Sequence, residues 1–268
     1  MNSDLMRLSG NSPGTRVYSI TSGKGGVGKT SIAVNLSITL ARAGMKVLLI
    51  DSDVGLANVD LMTGVTAPHS IEEVINGNAS IFDALADGPE GLTILPASSG
   101  LGSIRGIEEN ISVFRKELLK LEKAFDLIFI DTGAGISTQV TDFVLMAEEV
   151  IVVMTPEPTA FADAYAMVKL IFAEKPYAQV GIIINIIHDE AEAEKIYIKF
   201  NEIARRFLGK EIRYWGCIFQ DKAVSESVMR QIPLALYASK SPSMQSLRKI
   251  ARNLLGLKTA KKRSLFSR

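Results

Sequence analysis

Cysteine is almost missing from this chain, with Cys217 standing alone among 268 residues. A single thiol excludes an intrachain disulfide and any cluster held by paired thiolates. Lying in the apolar stretch Tyr214 to Phe219, it reads as a small buried hydrophobe, and the composition suits a reducing cytoplasm. Long apolar runs are missing too. No stretch reaches the ~18 uncharged residues of a membrane-spanning helix, and the polar segment Met1 to Thr15 lacks the apolar core of an export signal. The expectation is a cytoplasmic chain. Net charge is also close to nil, at +1, so no whole-molecule field draws nucleic acid, acidic substrates or an anionic membrane. Direct nucleic-acid binding is not expected. There is no internal repeat and no low-complexity linker, while 47% hydrophobic residues suffice for one large core.

Short β-branched apolar runs recur at Arg16 to Thr21, Lys46 to Ile50, Leu92 to Leu95, Phe125 to Ile130, Glu149 to Met154, Gln179 to Ile186 and Tyr214 to Phe219. They read as strands buried on both faces. Between most of them lie helical periodicities, at Thr30 to Ala43, Ile107 to Lys123, Ser137 to Ala147, Ala160 to Glu174 and Ala191 to Leu208. Such alternation predicts an α/β fold in one domain, a mostly parallel twisted sheet with helices on both faces. Ligands of such sheets bind beyond the carboxyl ends of the strands, so the loops after Ile20, Ile50 and Ile130 are the places to search.

The first of these loops reads Gly23-Lys24-Gly25-Gly26-Val27-Gly28-Lys29-Thr30 and is followed by a helical pattern from Ser31. It satisfies the P-loop pattern GxxxxGK[ST] in its strand-loop-helix context. Glycines let successive N–H groups turn inward, and the helix start adds partial positive charge where phosphates would sit. Gly25 to Ser31 are therefore the candidate phosphate-binding residues, with Lys29 reaching the β- and γ-phosphates of ATP and the Thr30 hydroxyl on Mg²⁺.

The second loop carries Asp51-Ser52-Asp53, and the third follows Phe125 to Ile130 with Asp131, the Walker B pattern. One acid can support the metal shell while another orients the attacking water, as phosphoryl transfer requires. Thr30, Asp53 and Asp131 form the candidate Mg²⁺ set. Thr132-Gly133-Ala134-Gly135 is expected to flex as the γ-phosphate leaves.

With a second lysine at its start, KGGVGKT resembles the deviant Walker A motif of the MinD and ParA superfamily. The resemblance implies that Lys24 reaches across an ATP-dependent homodimer to the partner's phosphates, that Asp53 orients water with Asp51 supporting it, and that Asn185 reads adenine. Asn closing a strand is equally a common turn former. Gln220 and Asp221, after the next strand, are further candidates for adenine or ribose.

Three segments narrow the resemblance. They are Asp53-Val54-Gly55-Leu56-Ala57-Asn58-Val59-Asp60 with Met62 and Gly64, then Asp131 to Ser137, then Thr155-Pro156-Glu157-Pro158-Thr159 with Asp163-Ala164-Tyr165. MinD proper usually has Arg at the Ala57 place and Ser-Pro after the Walker B acid. From Arg16 to Leu255 the chain resembles the FlhG (FleN, YlxH) family of MinD-like ATPases that place and count flagella. This implies slow ATP hydrolysis as a reset. The implied partners are an FlhF-type GTPase, flagellar basal-body components or a flagellar transcriptional activator. The chain departs from that pattern at its start, where Asn2 to Leu8 lacks the usual Asp-Gln-Ala motif that stimulates FlhF.

Residues 1–15 are read as a leader, 16–257 as the ATPase domain and 258–268 as a basic amphipathic tail. From Met244 to Arg268 there are eight basic residues and no acid. Pro242 to Gly256 reads as a last helix packed on the domain. Beyond it, Lys261, Lys262, Arg263, Leu265 and Phe266 resemble the end of a tail that holds anionic membrane reversibly, or else form a solvated basic terminus. Another reading makes the chain a MinD or ParA relative serving division-site selection or DNA partition, although no basic DNA-binding face is evident outside the tail. A cluster-carrying reductase like the nitrogenase iron protein would need the paired cysteines that are missing. A sensor without turnover is disfavoured by Asp53 and Asp131.

Overall fold

The computed structural model describes residues 14–53, 58–97, 107–121 and 123–256. Most of the leader, the segment Val54 to Ala57 and the tail 258–268 lie outside these described residues. The chain order is β1 (Arg16–Ser22), α1 (Lys29–Ala41), β2 (Val47–Asp51), α2 (Val59–Thr63), α3 (Ile71–Ile75), β3 (Ala86–Asp87), β4 (Thr93–Leu95) and α4 (Ile107–Leu119). It continues as β5 (Leu127–Ala134), α5 (Thr138–Val144), β6 (Glu149–Met154), α6 (Pro158–Glu174), β7 (Gln179–Ile187), α7 (Glu190–Leu208), β8 (Arg213–Phe219), α8 (Lys222–Met229), α9 (Leu234–Tyr237) and α10 (Pro242–Leu254).

The eight strands form one sheet in the order β3-β4-β2-β5-β1-β6-β7-β8, parallel except where the edge strand β3 runs against β4. Alternation along the central strands builds a core on each face. Leu49, Ile151, Val153 and Ile183 turn toward a cluster that includes Ile32, Leu36, Leu247 and Ile250 of α1 and α10. Their neighbours Val150, Val152, Ile182 and Ile184 face a cluster with Val140, Met167, Ile171 and Phe200 of α5, α6 and α7. On that side of the other half, Leu48, Ile50, Ile128 and Ile130 pack on Ile71, Val74, Phe114 and Phe143. The sheet is thus dry on both faces, as its apolar runs require.

All the expected strands and helices are present, with small shifts at their ends. One difference concerns the third loop, because β5 runs through Thr132 and Gly133 to Ala134. Ser22 pairs with Ala134 and its carbonyl accepts the Gly135 N–H at 3.0 Å. The ladder with β1 holds as strand what the sequence reading placed in a flexible loop, and the chain turns only at Gly135, where φ is +93°. No helix among the described residues is long and apolar enough to cross a membrane.

Candidate functional site

Helix α1 starts without a side-chain cap: its N-cap is Gly28, at φ +92°. By contrast α5, α7, α8 and α10 begin with Ser137, Asp189, Asp221 and Ser241, whose side chains accept first-turn N–H groups. The first-turn donors of α1 are left for another acceptor, and its positive end faces the loop. A Cβ at Gly28 would lie 2.5 Å from the Asn185 amide nitrogen, so glycine is required there by space as well as by backbone angle.

Around this loop opens a cavity of about 840 Å³ whose lining includes Gly28, Lys29, Thr30, Asp53 and Gly133. Sharing Gly26, Gly28, Ser31 and Val228 with it, a second cavity of about 610 Å³ runs on past Asn185, Gln220 and Asp221. The two adjoin through those shared residues, with Lys29 and Thr30 lining one and Asn185, Gln220 and Asp221 the other. A third cavity, of about 630 Å³, lies at the amino-terminal ends of the strands among Arg16, Glu149, Arg213 and Trp215. There Arg213 pairs with Glu149 at 2.9 Å and Arg16 donates to the Leu254 carbonyl at 3.0 Å. That cavity contains no residue of the phosphate loop.

Beneath the loop, adjacent strands carry Asp51 and Asp131 in register, both buried, and Lys29 is buried with them. Burial pushes the Asp131 carboxyl well above the usual range, repulsion from Asp51 adds to this, and the Thr30 hydroxyl and Lys29 ammonium offset only part. Neither Asp131 oxygen has a well-formed hydrogen bond. Burial also raises Asp51, against N–H donation from Asp53, Val59 and Asn58. Those bonds, at 3.0, 3.1 and 3.2 Å, bring the backbone of Asp53, Val59 and Asn58 to one carboxylate. Asp53 is raised by burial, with Lys29 opposing, and its Oδ1 packs 3.4 Å from where a Gly133 Cβ would stand.

An uncompensated buried carboxylate is costly, and a divalent cation would remove that cost. The donors at hand, Asp131, Asp53 and the Thr30 hydroxyl, are hard oxygens of the sort Mg²⁺ prefers. No group of three or more His, Cys, Asp or Glu able to hold a metal occurs among the described residues.

Lys24 behaves differently from Lys29. Its side chain is about half exposed, with Nζ 3.9 Å from Glu157 Oε2, and it is not part of the cavity lining. Gly23 beside it lies so close to α6 that a Cβ would fall on the Asp163 carbonyl. Asn185 donates Nδ2 to the Val27 carbonyl at 2.8 Å, so its amide braces the phosphate loop from β7. Asp221 accepts the N–H groups of Ala223 at 2.9 Å and Ser243 at 3.1 Å. Burial raises this carboxyl, but those bonds and the hydroxyls of Ser241 and Ser243 hold it below its ordinary value. Gln220 is exposed at the second cavity. Sequence reasoning missed the rim residues Leu61, Val228 and Gln231, which sit on or just beyond α2 and α8; Asp221, a capping type ahead of an apolar period, was the available signal for α8.

Residues 15–177 match the AAA domain family. The chain is 35% identical over 227 residues to the antiactivator FleN of Pseudomonas aeruginosa, covering 84% of this chain and 81% of FleN. It is 32% identical over 244 residues to the flagellum site-determining protein YlxH of Helicobacter pylori, covering 90% and 82%. The chain belongs to the FleN/YlxH family of MinD-like ATPases. A solved structure of the septum site-determining protein MinD from Pyrococcus horikoshii, complexed with Mg-ADP, superposes with a TM-score of 0.74 at 28% identity, covering 90% of this chain and 96% of that one. In this FleN/YlxH chain the brace from Asn185 gives a direct expectation. Asn185→Ala should cost about 1–2 kcal/mol of stability and weaken nucleotide binding about tenfold, since it frees the Val27 carbonyl and slackens the loop. Urea denaturation and calorimetric titration measure the two effects, and the account of the brace fails if both stay unchanged.

Proposed function

We propose that the chain is an ATP-gated regulator of flagellum assembly, monomeric with ADP and dimeric around two MgATP, reset by slow hydrolysis. One observation carries this reading: two lysines of one loop are sorted, Lys29 buried against the acids and Lys24 outside its own cavity. A half-exposed cation outside its own cavity suits a partner's phosphates. Exposed Leu61, Ile136, Val228 and Met229 near the cavity mouth add apolar surface that a second copy could cover.

In this reading Gly25 to Ser31 hold the phosphates, and Asn185 reaches adenine with the donor not committed to Val27. Gln220 and Asp221 are left the ribose edge. Thr30, Asp53 and Asp131 hold Mg²⁺, which when bound offsets charge on the phosphoryl oxygens. Asp53 orients the attacking water, Asp51 keeps its segment in place, and the partner's Lys24 stabilises the charge that develops on the γ-phosphoryl group. Residues 16–257 form the ATPase domain. The tail 258–268 gives weak, reversible hold on an anionic membrane, strengthened when a dimer presents two copies. The relatives named antiactivator and flagellum site-determining protein support flagellar control, with a transcriptional activator, basal-body components or an FlhF-type GTPase as partners.

Lys24→Ala tests the dimer claim. MgATP affinity of the monomer should stay within about threefold, while ATP-dependent dimerisation and turnover are lost. Sedimentation velocity and phosphate release read the two. A variant that dimerises and hydrolyses normally refutes the assignment.

A further inference from the structure

Strand β7 ends in a distortion. Ile184 pairs with Cys217 but Ile187 pairs with Phe219, so one extra residue bulges from β7 around Asn185 and Ile186. Ile186 takes a φ of +60°, the left-handed region, where a β-branched side chain crowds its own backbone. The other non-glycine residues with positive φ among the described residues, Glu90, Lys123 and Gln231, are unbranched at Cβ. A bulge needing only to turn would be met by Asn or Gly without crowding.

The side chain lies where an apolar residue has no packing reason to be. Ile184 and Ile187 are fully buried, yet Ile186 is 40% exposed. It lines the cavity of about 610 Å³ with Asn185, Phe219 and Gln220, one residue from the amide that braces the phosphate loop. Strain held in place beside a ligand cavity is the pattern of a conformation kept for binding.

We propose that Ile186 is a positioning residue for the nucleotide base, an apolar platform held outward by the bulge so that a purine ring lies against it. The proposal rests on the reading of the paired cavities as a nucleotide site. Flat purine faces gain from covering such a surface, and the phosphate end is untouched by it.

Ile186→Asn and Ile186→Gly in the full chain test this, through titration with MgATP and with magnesium tripolyphosphate, which has no base. Both variants should weaken MgATP about tenfold and leave tripolyphosphate within about twofold. Ile186→Asn, which tolerates the left-handed region, should also raise the melting temperature of the nucleotide-free protein by about 2–4 °C. Unchanged MgATP affinity, equal losses for both ligands, or lower melting temperatures in both variants would overturn the proposal. Wild-type protein that binds neither ligand would instead remove the nucleotide reading on which it rests.

Discussion

Lys29→Ala should lower the affinity for MgATP by about 100-fold or more. The lysine heads α1 and is buried at the floor of the larger cavity. In the proposed site its ammonium would reach two phosphates through charge-assisted bonds worth about 1.5–3 kcal/mol each, and alanine would supply none. The same substitution removes the cation that offsets Asp131 and Asp53. The nucleotide-free variant should therefore also unfold at lower urea, because two buried or half-buried acids lose a partner. Calorimetric titration checks the first effect and urea denaturation the second. Affinity within about threefold of wild type would remove Lys29 from the phosphate site.

Asp131→Asn acts in opposite directions on folding and on binding. The carboxyl is buried without a well-formed hydrogen bond, and burial with repulsion from Asp51 raises its pKa. A carboxyl raised in the fold contributes stability that is complete below its unfolded pKa of about 3.9 and is lost as pH rises through the folded value. The nucleotide-free wild type should accordingly weaken from the ordinary carboxylate range upward. The asparagine variant should be flatter with pH and more stable at neutral pH by roughly 1–3 kcal/mol. Its ATP affinity should no longer depend on Mg²⁺. Thermal melts across pH, with and without magnesium and ATP, separate these effects. A less stable variant that still needs Mg²⁺ for ATP would contradict the role given to Asp131.

Much of this was legible in the sequence because the signals were local. β-branched runs such as Glu149 to Met154 have few other folded fates, and the spacing from Gly23 to Thr30 fixes a strand, a turn and a helix start at once. Short elements were less legible. Helix α3 carries a capping box, Ser70 with Glu73, but it spans only Ile71–Ile75, too few residues to show a period. Strand β3 has two residues and exists because β4 offers it an edge. The extension of β5 through Thr132 and Gly133 is likewise tertiary: glycine suggests a loop, and the ladder with β1 overrides it.

Roles at the site were less legible than its location. Asn185 lines the second cavity, yet its bond to Val27 depends on how β7 meets the phosphate loop, which spacing cannot express. Asp221 stands after β8 as anticipated, but two helix starts converge on it, one of them α10, more than twenty residues further on. The crowded φ of Ile186 leaves no trace in composition, since isoleucine at a strand end looks ordinary. Geometry assembled from distant segments is what a linear pattern conceals.

Sedimentation velocity of the purified full chain, with Mg²⁺ and either a non-hydrolysable ATP analogue or ADP, bears most directly on the mechanism. A shift from monomer to dimer with the analogue alone, reversed by chelating the metal, is the predicted result. Identical sedimentation in both nucleotides, at concentrations where binding is saturated, would contradict it.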